Sequence, residues 1–137
     1  MELNVYLYFN GNCEEAMEYY ANATGGTVDT LVRYGESPVS TADEHADKIL
    51  HGVLRINHIK IMCSDDLENH LQPYCNNYAL SMNFGSEEKL RQTFNNLAGE
   101  GKVTMPIQDT FWGAVFGKCT DKYGVNWMFS YDKPKRS

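Results

Sequence analysis

Apolar positions along the chain switch between a period of two and a period near three and a half, and the switches occur twice in the same order. From Leu3 to Phe9 the alternation puts Leu3, Val5, Leu7 and Phe9 on one face and Tyr6 and Tyr8 on the other, which predicts an inner strand with both faces covered. Asn10-Gly11 makes a turn. Asn12 with Glu15 three positions later has the spacing of a capping box, and Cys13, Ala16, Met17 and Tyr20 then share a helical face that ends at Gly25-Gly26. Val28 to Tyr34 reads as a second strand, and the polar stretch Gly35 to Ala46 as a long mobile loop. Lys48 to Ile56 and Ile59 to Cys63 read as a hairpin through Asn57-His58. The first half is therefore βαβββ.

Asp65 to Asn76, polar and holding Pro73, reads as a linker, after which the pattern restarts. Tyr78 to Phe84 is a strand. Ser86 caps a helix whose first turn carries Glu87 and Glu88, and Leu90, Phe94, Leu97 and Ala98 form its apolar stripe before Gly99 and Gly101 end it. Lys102 to Trp127 alternates as a β-meander, with Asp121-Lys122-Tyr123-Gly124 as a tight turn. Glu14-Glu15 falls on Glu87-Glu88, Tyr20 on Phe94, Gly26 on Gly101 and Val28 on Val103, at offsets of 73 to 75 residues. This weak internal repeat predicts a tandem βαβββ duplication.

Length limits the chain of 137 residues to one domain with one sizeable core, divided into a module at about 1–66, a linker at 65–76, a module at 77–132 and a tail at 133–137. A net charge of −6 speaks against nucleic acid, because phosphate neutralisation needs clustered Lys and Arg. The one cluster, Lys133, Lys135 and Arg136, reads as a frayed end. Neither a signal peptide nor a membrane span is expected, and the expected location is cytoplasmic. Cys13, Cys63, Cys75 and Cys119 show no C-x-x-C pair and read as small buried hydrophobes in a reducing compartment.

Three stretches then carry a resemblance: Tyr6 to Ala16 with its Asn-Gly-Asn-Cys-Glu-Glu core, Lys48 to Ile56 around His51-Gly52, and Gln108-Asp109-Thr110-Phe111-Trp112-Gly113 followed by Asp121-Lys-Tyr-Gly and Asn126-Trp127. Over nearly the whole length the chain resembles the PhnB-like branch of the vicinal oxygen chelate superfamily, which also holds glyoxalase I, bleomycin-resistance proteins, fosfomycin-resistance enzymes and extradiol dioxygenases. The resemblance implies an α+β fold of two tandem βαβββ modules, their curved mixed sheets enclosing a shared cavity, and a homodimer. The branch is also called 3-demethylubiquinone methyltransferase, but no glycine-rich strand–helix turn suited to a nucleotide-like cofactor is present. Metal-dependent members of the superfamily take one His or Glu from the first and last strand of each module. The matching positions here fall at Val5, Met62, Asn77 and Met128, with Asp65 just past the second, so no metal and no other cofactor is expected.

What remains is a cavity lined by side chains. Its candidate ligand contacts are Trp112, Phe111, His51, Tyr6, Asn77 and Met128, and the candidates for acid–base chemistry are His51 and Asp109. Each has a plainer reading: His51 as a hydrogen-bonded core histidine, Phe111 and Trp112 as core packing, Asp109 as a turn cap. Trp127 reads as core, and His45, His58 and His70 as solvated surface. The expected partner is a small molecule. Two classes of function follow: a metal-free binding protein of the bleomycin-resistance type, or a metal-independent enzyme acting on a small metabolite.

Overall fold

A computed structural model describes residues 1–39, 41–68 and 75–135. The chain divides into two compact units, Met1–Gln72 and Pro73–Ser137, a boundary inside the predicted linker. The first unit runs β1 (Val5–Phe9), α1 (Cys13–Thr24), β2 (Thr27–Arg33), β3 (Ile49–Ile56) and β4 (Ile59–Asp65). The second runs β5 (Leu80–Asn83), α2 (Glu87–Ala98), β6 (Lys102–Asp109), β7 (Ala114–Thr120) and β8 (Asn126–Asp132). Each forms a four-stranded sheet, in the orders β1-β4-β3-β2 and β5-β8-β7-β6. In both, three antiparallel strands are extended by a parallel first strand, with one 12-residue helix on one face. The duplication read from the sequence is present in the topology.

Each sheet turns alternate residues toward its helix. In the first unit Leu7, Leu54 and Cys63 lie on the α1 side and are buried, meeting Cys13, Ala16, Met17 and Tyr20 of the helix. In the second, Val115, Cys119, Trp127 and Phe129 meet Leu90, Phe94 and Leu97, with Phe94 edge-on to Phe129 at 5.1 Å between ring centroids. Full burial of such side chains contributes about 1.5–3 kcal/mol each, so these two interfaces carry most of the stability. Close approach is needed at equivalent points. A Cβ on Gly26 or Gly101 would strike the carbonyl oxygen of Arg55 or Thr120 as β2 or β6 begins, which is why the repeat keeps glycine there.

The helix starts differ from the sequence expectation. Ser86 caps α2 as expected, its Oγ accepting the Lys89 N–H at 3.1 Å. Asn12 makes no side-chain cap to α1, so the predicted capping box does not form. Its place is taken by Asp65 at the end of β4: one carboxylate oxygen accepts the Cys13 N–H at 2.9 Å and the other the Ile49 N–H at 2.8 Å. Asp65 is 3% exposed. A carboxylate at a helix N-terminus gains from both the hydrogen bond and the helix dipole, so a contact remote in sequence displaces the local cap.

Four further expectations change. β1 is an edge strand and not an inner one; it starts at Val5, and Leu3 is 95% exposed. The stretch after β2 is not one open loop but holds two short 3₁₀ turns, Tyr34–Glu36 and Asp43–His45, pinned by the Gly35 N–H to the Ala46 carbonyl. The tail is tied at its first residue, since the Lys133 N–H bonds the Gly113 carbonyl and its ammonium pairs with Asp109. Cys13, Cys63 and Cys119 are buried and free, but Cys75 is exposed. Among the described residues no helix is long and apolar enough to cross a membrane.

The carboxylate of Asp65 is the test of this account. Asp65→Ala leaves two buried N–H groups without acceptors at about 1–3 kcal/mol each, whereas Ser86→Ala costs about 1 kcal/mol. Urea melts of the two variants are expected to show the larger loss at Asp65; equal losses would mean that the long-range cap carries no special weight.

Candidate functional site

In each unit the α-helix packs on one face of the sheet, and the residues of the other face follow from the strand registers. On the first sheet Tyr6, Met62 and Val53 stand side by side across β1, β4 and β3, with Tyr8 beside Ser64 and His51 beside Val32. Tyr6 and Tyr8 stack at 4.8 Å between centroids, and the Tyr6 hydroxyl lies 3.4 Å from His51 Nδ1. In the tautomer with a bare Nδ1 the phenol donates. His51 is half-buried, in keeping with neither a sealed core histidine nor a solvated one. Tyr34 sits close enough to Tyr6 and Asp65 to feel their charge, and burial above all pushes its phenol upward from the ordinary tyrosine range.

On the second sheet the equivalent row is Ser81, Met128 and Lys118, followed by Asn83, Ser130 and Phe116. A hollow of about 400 Å³ opens beside this row, bordered by Asn76, Tyr78, Thr104, Lys118 and Met128 and floored by Trp127 and Cys119. Burial raises the Tyr78 phenol, whose hydroxyl donates to the Gly124 carbonyl at 3.3 Å. Burial first and Asp121 second push the Cys119 thiol up to about 12, so this sulfur is inert at neutral pH. Asn126 clamps the segment before β5, its amide donating to the carbonyls of Cys75 at 2.6 Å and Tyr78 at 3.3 Å.

The sequence candidates divide accordingly. Tyr6 and His51 meet, and Met128 lines the hollow. Asn77 precedes β5 and accepts the Cys75 thiol, so the first-strand residue paired with Met128 is Ser81. Val5 lies on the α1 side beside Ile61, and its neighbour Tyr6 takes the row that faces away. Phe111 and Trp112 form the tip of the β6–β7 hairpin, 97% and 58% exposed, with Trp112 against Phe111 at 4.9 Å and Phe116 at 6.3 Å. They are not core packing. That turn is closed by Thr110, whose Oγ1 accepts the Ala114 N–H at 3.0 Å, while Asp109 pairs with Lys133 in the open. Trp127 is core, its indole N–H donating to buried Asp121 at 2.8 Å. His58 is exposed in the β3–β4 turn, His45 is half-buried in a 3₁₀ turn, and His70 lies outside the described residues. Sequence reasoning missed Lys118; its alternation with Gly117 and Cys119, both buried, could have placed it away from the helix.

A divalent ion does not fit these residues. In neither unit does the row offer a set of hard-cation ligands, since the first pairs Tyr6 with Met62 and the second Ser81 with Met128, and Asp65 spends both oxygens on backbone N–H groups. Among the described residues no group of three or more His, Cys, Asp or Glu could hold a metal ion.

Two βαβββ units with these strand orders define the class: the chain has the glyoxalase/bleomycin-resistance-like fold of the vicinal oxygen chelate superfamily. Within that class, residues 1–130 match the family described as 3-demethylubiquinone-9 3-methyltransferase, the PhnB-like family, and the chain belongs to it. It is 35% identical to protein YjdN of Escherichia coli K12 over 97% of both chains. The crystal structure of PA1353 from Pseudomonas aeruginosa matches with a TM-score of 0.84 at 36% identity, over 97% of this chain and 100% of that one. A putative 3-demethylubiquinone-9 3-methyltransferase, PhnB protein, from Bacillus cereus gives 0.83 at 26% identity, over 96% and 99%.

The nucleotide-type methyl donor that this description implies does not fit either strand–helix turn. Gly11 is the lone glycine of the first, its carbonyl accepts Lys48 Nζ at 2.8 Å, and the first N–H of α1 belongs to Asp65. In the second, Ser86 holds the Lys89 N–H.

The two tryptophans give a direct check. Trp127→Ala empties a core site at about 3–5 kcal/mol, whereas Trp112→Ala removes a largely exposed ring and is expected to cost under about 1 kcal/mol. In Trp127→Phe the remaining emission is expected to be red-shifted and quenched by iodide; a blue, shielded Trp112 would show that the hairpin tip is covered.

Proposed function

We propose that the chain binds a small polar or aromatic molecule without a metal ion, with Tyr6 and His51 at the contact. The observation that carries this reading is the Tyr6–His51 pair, half-buried on the face of the first sheet turned away from α1. An aromatic face supplies contact area with little entropy loss, and the phenol–imidazole pair supplies one directional donor and acceptor. Met62 and Val53 beside them add an apolar floor. The fold of a superfamily that includes bleomycin-resistance proteins agrees with a binding role, though a fold alone confers none.

A second reading uses the same pair. If His51 exchanges a proton with the bound molecule, the site is a metal-independent acid–base enzyme. Asp109, paired with Lys133 at the hairpin end, has no part in either reading.

Screening the wild-type protein by thermal shift against aromatic and polar metabolites is expected to give at least one ligand. Tyr6→Phe and His51→Ala are expected to weaken it by about tenfold or more, roughly 1.4 kcal/mol, with little change in melting temperature. If neither variant alters any ligand's affinity and both melt like core mutants, the reading fails. Turnover lost in His51→Ala but kept in Tyr6→Phe would select the enzyme.

We propose further that the working form is a cytoplasmic homodimer, since each unit's four-stranded sheet leaves edge strands that are more easily closed by pairing with a second copy than left open. Light scattering at micromolar concentration is expected to give twice the 15.6 kDa chain mass; a monomer mass would refute it.

A further inference from the structure

We infer that the hollow beside Lys118 is a binding site for a small oxyanion, the carboxylate or phosphate group of a ligand. Four Lys or Arg side chains are half-buried among the described residues: Arg33, Lys48, Lys60 and Lys118. Arg33 makes a bidentate pair with Glu14, Lys48 donates to the Gly11 carbonyl, and Lys60 lies 3.8 Å from Glu2. Lys118 alone of these four has no hydrogen bond or ion pair to a described residue. A cation that the chain leaves unpaired keeps all its N–H donors for a bound group.

The surroundings say what that group is. Lys118 stands between Met128 and Met105 across the sheet, so its neighbours in register offer no acceptor of full charge. The hollow it borders has no Asp or Glu in its lining, although the chain as a whole is acidic at −6. A different hollow, beside α1, shows the contrast: Glu14, Glu15, Glu18, Asp47 and Asp65 line it. Around Lys118 the polar side chains left over can donate. The Thr104 hydroxyl and the Asn76 amide have no hydrogen bond to a described residue, whereas the Asn126 amide and the Tyr78 hydroxyl are committed to backbone carbonyls. One cation and two uncommitted donors around about 400 Å³ suit an oxyanion attached to a small organic body, with Met128 against the apolar part.

This goes beyond the Tyr6–His51 reading and stands without it. The experiment is a ¹H–¹⁵N NMR titration of the full chain with sodium phosphate and, separately, sodium acetate, each against sodium chloride at matched ionic strength. Saturable shifts are expected at the Asn76 and Asn126 side-chain amides and the Thr104 amide, with half-saturation at about 1–10 mM, the weak range proper to a lone anionic group. Saturation by phosphate alone, by acetate alone or by both supports the site and tells which oxyanion it prefers. Lys118→Arg is expected to keep the response and Lys118→Met to abolish it. Because Lys118 has no partner to orphan, both variants are expected to melt with the wild type; should Lys118→Met misfold, Lys118→Gln takes its place. Equal shifts with chloride, shifts that survive in the neutral variant, or no saturation with either anion would overturn the proposal. Tyr6→Phe is expected to leave the titration unchanged, which separates this site from the first.

Discussion

The carboxylate of Asp65 fixes the geometry of the first unit. Its two oxygens take one N–H from the start of α1 and one from the start of β3, elements that are 36 residues apart at their first positions. Both bonds are inside the protein, where a charged acceptor is worth roughly twice a neutral one and where losing it strands both donors. With the helix N-terminus held at the end of β4, α1 must run across the sheet over Gly52, where a Cβ would come within 2.7 Å of Met17 Sδ. That packing consumes one face of the sheet. It thereby leaves Tyr6, His51 and Met62 on the other, the face of the proposed Tyr6–His51 site.

The second unit reaches the same topology by another route. Its helix is capped from within by Ser86, and the residue standing against α2 at the position of Gly52 is Gly117, whose added Cβ would lie 3.2 Å from Phe94. Shape is thus repeated at the glycines and the helix faces, while charge is not. The rows facing away from the helices diverge furthest: Tyr6, Met62 and Val53 in one unit, Ser81, Met128 and Lys118 in the other. A shared ancestral scaffold constrains how the helix meets the sheet, because interiors are close-packed and tolerate little. It leaves the opposite face free to change its ligand chemistry.

This division also explains what could be read in the sequence. Strand alternation, the apolar stripes of both helices, Ser86 and the offset of Gly26 from Gly101 are local or periodic signals, and the architecture followed from them. The cap by Asp65 was not legible, because 52 residues separate it from Cys13 and the nearby Asn12–Glu15 pair mimics the expected motif. The edge position of β1 was missed for a related reason: aliphatic residues on one face and tyrosines on the other look like double burial, yet Tyr8 is 59% exposed. At the site, Tyr6 and His51 were identified singly but not as a pair, since register across β1, β4 and β3 joins them. Asn77 was misplaced because the polar stretch before β5 contains no residue that fixes where the strand begins.

Lys118 shows why a polar residue inside a meander is informative once the register is known. Gly117 and Cys119 are buried, so alternation alone sends the lysine away from α2, and the absence of a carboxylate nearby is then a matter of placement rather than of composition. The overall charge of −6 does not forbid an anion there. At physiological ionic strength charges farther than about 8 Å are largely screened, so the chain's surplus of acids weighs little beside one ammonium in contact with its ligand. Unpaired within the chain, the ammonium keeps its three N–H donors for a ligand. A hollow lined by Lys118 and by no acid therefore favours oxyanions over cations.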